Sequence, residues 1–204
     1  MLFSDTYKTV ASEAHGLFKD RGSRFIALVI PVKGQDEIKE KLEELRKEYH
    51  DARHHCYAWV LGPDRQTWRA NDDGEPSGTA GRPILGQINS RELTDILIVV
   101  IRYFGGTLLG VSGLINAYRS AADDALAKTP IIEKTVMQSY LLKFPYLSMN
   151  DVMKVLKEEG CGQSAHSYGN DCSVEISVRS SAAERINERL LKIDGLTSTW
   201  LKTA

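Results

Sequence analysis

The chain has 204 residues, 42% of them apolar and 26% charged, with a formal net charge of −1. That length supports one large domain or two small ones, and the composition excludes disorder over most of it. The near-zero charge excludes a global electrostatic pull onto nucleic acid and leaves room only for a local basic groove.

The cysteines are Cys56, Cys161 and Cys172, an odd number with no C-x-x-C pair. A disulfide framework or zinc knuckle is therefore not expected. The N-terminus, MLFSDTYKTVASEAHG, lacks the basic stretch and long apolar run of a signal peptide. The longest strongly apolar run, residues 96–101, is too short to span a bilayer. These features predict a soluble, cytoplasmic protein with no membrane partner.

In chain order, residues 24–32 (RFIALVIPV) read as a strand. Residues 36–50 read as a helix, with Ile38, Leu42, Leu45 and Tyr49 on its apolar face and Asp36 as the expected N-cap. Residues 56–61 read as a second strand, closed by a turn at Gly62, Pro63 and Asp64. Residues 71–83 (NDDGEPSGTAGRP) fit no regular element, and 84–93 suit a short helix. Residues 95–104 (DILIVVIRYF) read as a buried strand that runs into Gly105, Gly106, Gly110 and Gly113. A helix over 114–128 follows, carrying Leu114, Ile115, Tyr118, Ala122 and Leu126 on one side.

The last third changes rhythm. Strands are expected at 136–144, 161–168, 172–179 and 196–202, and helices at 149–158 and 181–193. A turn at Gly169, Asn170 and Asp171 makes the middle strands a hairpin. The order is βαββαβ, the ferredoxin-like plan, and a domain boundary is expected near residue 133. The fold class is thus α+β, with domains at 1–132 and 133–204.

Three segments carry residue types suited to chemistry. After the strand at 95–104, the glycine-rich turn lets a ligand approach the backbone, and free N–H groups at the helix start favour an anion. Arg102 and Arg119 flank it, so a phosphate from a nucleotide or RNA suits the place. Tight strand-to-helix packing explains the same glycines equally well. In the middle loop, Asp72, Asp73 and Glu75 have the grouping to hold a hard cation or do acid–base work, but not the spacing of an EF-hand. Asp side chains capping backbone N–H groups, with Asp73 and Gly74 as a turn, is the favoured reading. At His54, His55 and Cys56, alternation sends His54 and Cys56 to one face and His55 to the other. A buried cysteine beside a hydrogen-bonded histidine is favoured there over a metal or nucleophile site. Every basic residue between Lys47 and Lys128 is arginine, whose planar fork suits phosphates and carboxylates.

DDGEPSGTAGRPIL (72–85), VVIRYFGGTLLGVSGLINAYRSA (99–121) and ARHHCYAW (52–59) together resemble the signature of the IMPACT/YigZ family, in order and at the right spacing. The resemblance covers about residues 15–130, and the tail resembles the small C-terminal domain of bacterial members. It implies an N-terminal α/β domain with a left-handed βαβ crossover, a fold also seen in a small-subunit ribosomal protein and in domain IV of translational GTPases. It implies a C-terminal domain like the last domain of elongation factor G. Eukaryotic members regulate translation under amino-acid starvation and carry an additional N-terminal RWD domain. This chain has no room for one before the family region, so a bacterial member is expected. Ser112 stands where the family usually has glycine, which questions the need for a positive φ there and offers a hydroxyl for capping.

The expected function is therefore a translation-associated binding or regulatory protein. Its partners would be RNA, the ribosome or a translation factor, met through a phosphate-friendly cleft. The expected binding residues are His54, Asp72, Asp73, Glu75, Arg82, Arg102, Gly105, Gly106, Gly110, Ser112 and Arg119. No cofactor, metal or complete catalytic constellation is read from the residues. A metal-assisted hydrolase of a phosphorylated small molecule and a protein–protein adaptor are the alternatives.

Overall fold

The computed structural model of the protein describes residues 5–203, which divide into two compact units. One unit spans Tyr7–Lys134, and the other is formed by the chain from Thr135 onward with Asp5 and Thr6.

In the first unit, Ile96–Tyr103 (β6) is apolar at every position through Ile101, and such a strand needs cover on both faces. It lies at the centre of a five-stranded antiparallel sheet. Around it are Ala14–Asp20 (β2), Ser23–Pro31 (β3), His54–Leu61 (β4) and Thr67–Asn71 (β5), in the order β2-β3-β6-β4-β5. β3 and β4 are both antiparallel to β6, so they run parallel to each other with β6 between them. Gln35–Glu48 (α1) makes the crossover that joins them. Thr6–Val10 (β1) pairs with Ile131–Thr135 (β7) in a separate ribbon.

Strand alternation divides the core in two. Leu28, Ile30, Tyr57, Trp59, Leu97 and Val99 pack with Ile38 and Leu45 of α1. Phe25, Ala27, Cys56, Ala58, Ile98 and Val100 face Gly81–Ser90 (α2) and Gly110–Leu126 (α3) instead. α3 approaches closely because its buried face is mostly alanine: Ala117, Ala121, Ala122 and Ala125. Gly16 of β2 admits the same approach, since a Cβ there would meet the Ala125 backbone nitrogen at 2.5 Å.

The second unit runs Met137–Pro145 (β8), a 3₁₀ turn at Tyr146–Ser148, Met149–Glu158 (α4), Gly162–Ser167 (β9), Asp171–Arg179 (β10), Ser180–Leu190 (α5) and Thr197–Thr203 (β11). Its antiparallel sheet has the order β11-β8-β10-β9, the split βαβ arrangement. Along β10, Cys172, Val174, Ile176 and Val178 alternate inward and pack with Val152, Leu156, Ile186 and Leu190 of α4 and α5. Among the described residues, no helix is long and apolar enough to cross a membrane.

Several sequence expectations shift. Gly34, in extended conformation, is the N-cap of α1, and Asp36 sits in its first turn, favourably placed against the helix dipole. The side chain of Glu37 accepts the Lys33 N–H at 2.7 Å. α3 begins at Gly110, four residues earlier than the apolar spacing indicates, and α2 begins at Gly81, inside the segment read as irregular.

Candidate functional site

Sheet register creates the site. Arg102 lies opposite Phe25 on β3 and His54 on β4, so the three share one face near the end of β6. An arginine in an apolar strand must find a partner or pay for desolvation. Its Nη1 donates to Glu75 Oε1 at 2.6 Å, and the Tyr118 hydroxyl of α3 donates to the same oxygen at 2.7 Å. Arg102 is only 7% exposed and Glu75 8%. Losing either member of such a buried pair costs about 3–5 kcal/mol, because the other charge is left unpaired. The guanidinium lies 5.5 Å from the Phe25 ring centroid and 5.6 Å from that of Phe104. Among the described residues its one hydrogen bond leaves from Nη1, and the buried Nε has no partner.

The loop after β5 delivers Glu75 to this place. Asp72 folds it: Oδ1 accepts the N–H groups of Ala80 (3.0 Å) and Gly81 (2.8 Å), and Oδ2 accepts that of Gly78 (2.8 Å). Burial pushes the Asp72 carboxyl up, but these three N–H donors and nearby Arg82 outweigh it and hold the group below its ordinary range. Asp73 and Gly74 turn the chain with φ values of 39° and 85°. The Asp73 carbonyl accepts Nδ1–H of His54 at 2.9 Å, which leaves Nε2 of His54 as the free ring nitrogen. Asp73 Oδ2 accepts the His55 N–H at 2.7 Å, and Oδ1 pairs with Arg46 at 3.3 Å. All three carboxylates of this loop are thus engaged within the protein. Among the described residues, no group of three or more His, Cys, Asp and Glu side chains has the grouping to hold a metal ion.

His55 is buried, and its Nε2–H donates to the Tyr49 carbonyl at 3.2 Å. Burial lowers its pKa, partly offset by the Asp73 charge. Cys56 is fully buried, with Sγ 3.0 Å from the Asp72 carbonyl and 3.3 Å from the Tyr118 hydroxyl oxygen. Burial pushes its thiol far up, so it is a structural cysteine rather than a nucleophile.

Above Arg102 opens a cleft of about 690 Å³. Asp51, Arg53 and His54 line one wall, Arg102, Tyr103 and Phe104 the other, and Leu108 comes from the glycine-rich loop. The Tyr103 hydroxyl donates to Asp51 at 2.6 Å, a bond that holds the Asp51 carboxyl below its ordinary value. Arg24 lies over the Tyr103 ring, 5.0 Å from its centroid. Arg53, Phe104 and Leu108 are exposed, the last at 82%.

The structure therefore gathers some of the residues singled out in the sequence and disperses others. His54 and Arg102 line the cleft, Glu75 lies beneath it, and Gly105 and Gly106 stand between Phe104 and Leu108 of its wall. Arg82 on α2, and Ser112 and Arg119 on α3, are exposed but do not line it. Arg119 bonds Asn116 instead. Gly105 serves packing: its N–H is taken by Ser23 Oγ at 3.1 Å, and a Cβ there would lie 2.0 Å from the Gly22 carbonyl carbon. Gly110 and Ser112 belong to the first turn of α3, where no side-chain cap forms and Ser112 is not in the positive-φ region. Nothing in the sequence marks Asp51, Arg53, Tyr103, Phe104 or Leu108 as site residues. The role of Tyr118 had a signal, since a phenol on an alanine-lined buried face needs a partner for its hydroxyl.

Comparison with known proteins agrees with this architecture. The Impact N-terminal domain family matches residues 21–126. The IMPACT family member YigZ of Escherichia coli is 40% identical over 136 residues, covering 66% of this chain and 67% of that protein. The IMPACT family member YvyE of Bacillus subtilis is 32% identical over 171 residues, 84% of this chain and 79% of its own. A crystal structure described as that of a hypothetical protein superposes with a TM-score of 0.75 at 30% identity, covering 98% of both chains. The chain belongs to the IMPACT family.

Proposed function

We propose that this is a cytoplasmic, translation-associated regulatory protein that contacts RNA, on the ribosome or apart from it, through the cleft of its first unit. The observation that carries this reading is Arg102, a buried guanidinium at the base of an open cleft with donor capacity its own chain does not use. Arg53 adds a second positive charge to the cleft against the single carboxylate of Asp51, and Tyr103 and Phe104 offer aromatic surface, the combination that holds single-stranded nucleic acid. Membership of the IMPACT family supplies the link to translation. The strand order of the second unit adds an analogy, being that of the ferredoxin-like plan which the family resemblance ties to elongation factor G.

The metal-assisted hydrolase is the weaker reading, because Asp72, Asp73 and Glu75 are each already bonded within the protein. Co-sedimentation with ribosomes tests the proposal. The protein should travel with ribosomes at low salt and be released as salt rises, as phosphate contacts require. Association that ignores salt and survives nuclease treatment would point to the protein–protein adaptor instead.

A further inference from the structure

The bonding of Arg102 is lopsided. Glu75 takes Nη1, while Nε is buried with no partner. In a guanidinium, Nε–H and the nearer N–H of Nη2 point the same way and form the side-on fork that grips an oxyanion with two parallel bonds. Here that fork has no partner, on a side chain fixed at Nη1 and flanked by the rings of Phe25 and Phe104. Unsatisfied donors at such depth are costly, and one on a cleft-lining arginine calls for an acceptor from outside the chain. Phe25 is fully buried, whereas Phe104 is 55% exposed. Phe104 also leads directly into Gly105 and Gly106, and around Gly106 a Cβ would meet nothing within 4 Å. Phe104 is thus on the solvent side of the guanidinium and Phe25 on its buried side.

We propose that Arg102 is a recessed oxyanion fork, covered by Phe104, that takes the terminal phosphate monoester of an RNA strand or a free nucleotide. This rests on the cleft being the RNA-facing surface. Depth selects a terminus. An internal phosphodiester continues into nucleotides on both sides and is met by exposed side chains, whereas an arginine only 7% exposed admits only a group that can enter end-on. A monoester also carries more charge than a diester and three unsubstituted oxygens. The volume of about 690 Å³ suits one nucleotide, with Arg53 at the rim to meet the strand beyond it. Glu75 shares the guanidinium and limits how tightly the anion is held, so release is built in.

Titrations of one short oligoribonucleotide, phosphorylated at one end or bearing hydroxyls at both, test this on the full chain. The wild type should prefer the phosphorylated strand by roughly tenfold or more. Arg102→Lys, which keeps the charge but loses the fork, should erase the preference. Phe104→Ala alters an exposed side chain and keeps the fold, and it should raise affinity for inorganic phosphate by uncovering the fork. Equal binding of both strands by the wild type, a preference that survives Arg102→Lys, or unchanged phosphate affinity in Phe104→Ala each overturns the proposal. If Arg102→Lys does not fold, the Phe104→Ala arm decides. A competing nucleoside monophosphate separates the two sources: displacement assigns the fork to free nucleotides, and resistance assigns it to strand ends. Loss of the end preference with ribosome association intact removes this inference alone. The converse result removes only the translational reading.

Discussion

Arg102 and His55 illustrate how a single residue acquires its role from what surrounds it. A charged residue in the apolar run of β6 announces burial with a partner, and that much is legible in the sequence. Its partner is not, because Glu75 is 27 positions away in a loop whose path depends on three N–H bonds to Asp72. Adjacent histidines likewise part company. His54 lines the cleft, whereas His55 is buried on the opposite face, as strand alternation predicts. Burial places the folded-state pKa of His55 below its unfolded value of 6.5. The unfolded chain therefore takes up a proton first as pH falls. The contribution of His55 to stability is whole above the unfolded value and is lost progressively below it. Denaturant titrations at a series of pH values from neutrality downward should show stability falling with a shallower slope in His55→Gln than in the wild type. An identical slope in both would contradict this assignment.

At the scale of elements, the strongly patterned pieces were legible and the short, polar ones were not. β3, α1 and β6 have long apolar runs or clear helical spacing, and in the second unit β8, α4, β9, β10, α5 and β11 follow the expected order. β5 is largely exposed and pairs only with β4, so its sequence TWRAN bears little trace of a strand. β2 contains Gly16, present for the approach of α3 rather than for the sheet. The glycine-rich turn has the composition of an anion cradle, yet Gly105 is there because β3 and the turn before it leave no room for a side chain. Gly106 differs, with φ of 87° and open space around it. Gly105→Ala should therefore destabilise the protein by more than the about 1–3 kcal/mol of ordinary core overpacking, because its Cβ would clash with backbone atoms. Gly106→Ala should cost only the left-handed backbone penalty, roughly 1–2 kcal/mol. Urea denaturation of the two variants measures the difference, and equal losses would show that the close contact at Gly105 is not limiting.

For the whole molecule, a net charge of −1 means that any grip on an anionic partner must be local. The first unit concentrates such a locality at the end of β6, where sheet register unites residues from β3, β4 and β6 with the loop after β5. The sequence identified the family and two of the cleft's residues, His54 and Arg102. It missed the aromatic wall because Tyr103 and Phe104 read as the end of an apolar strand. The second unit presents a different sheet whose role in binding is separable by experiment. The most direct measurement is a map of backbone amide chemical-shift changes as a short oligoribonucleotide is added to the full chain. The largest changes should fall at residues 51–54 and 102–108. Changes confined to residues 135–203, or to the exposed face of β5 around Trp68, would contradict it.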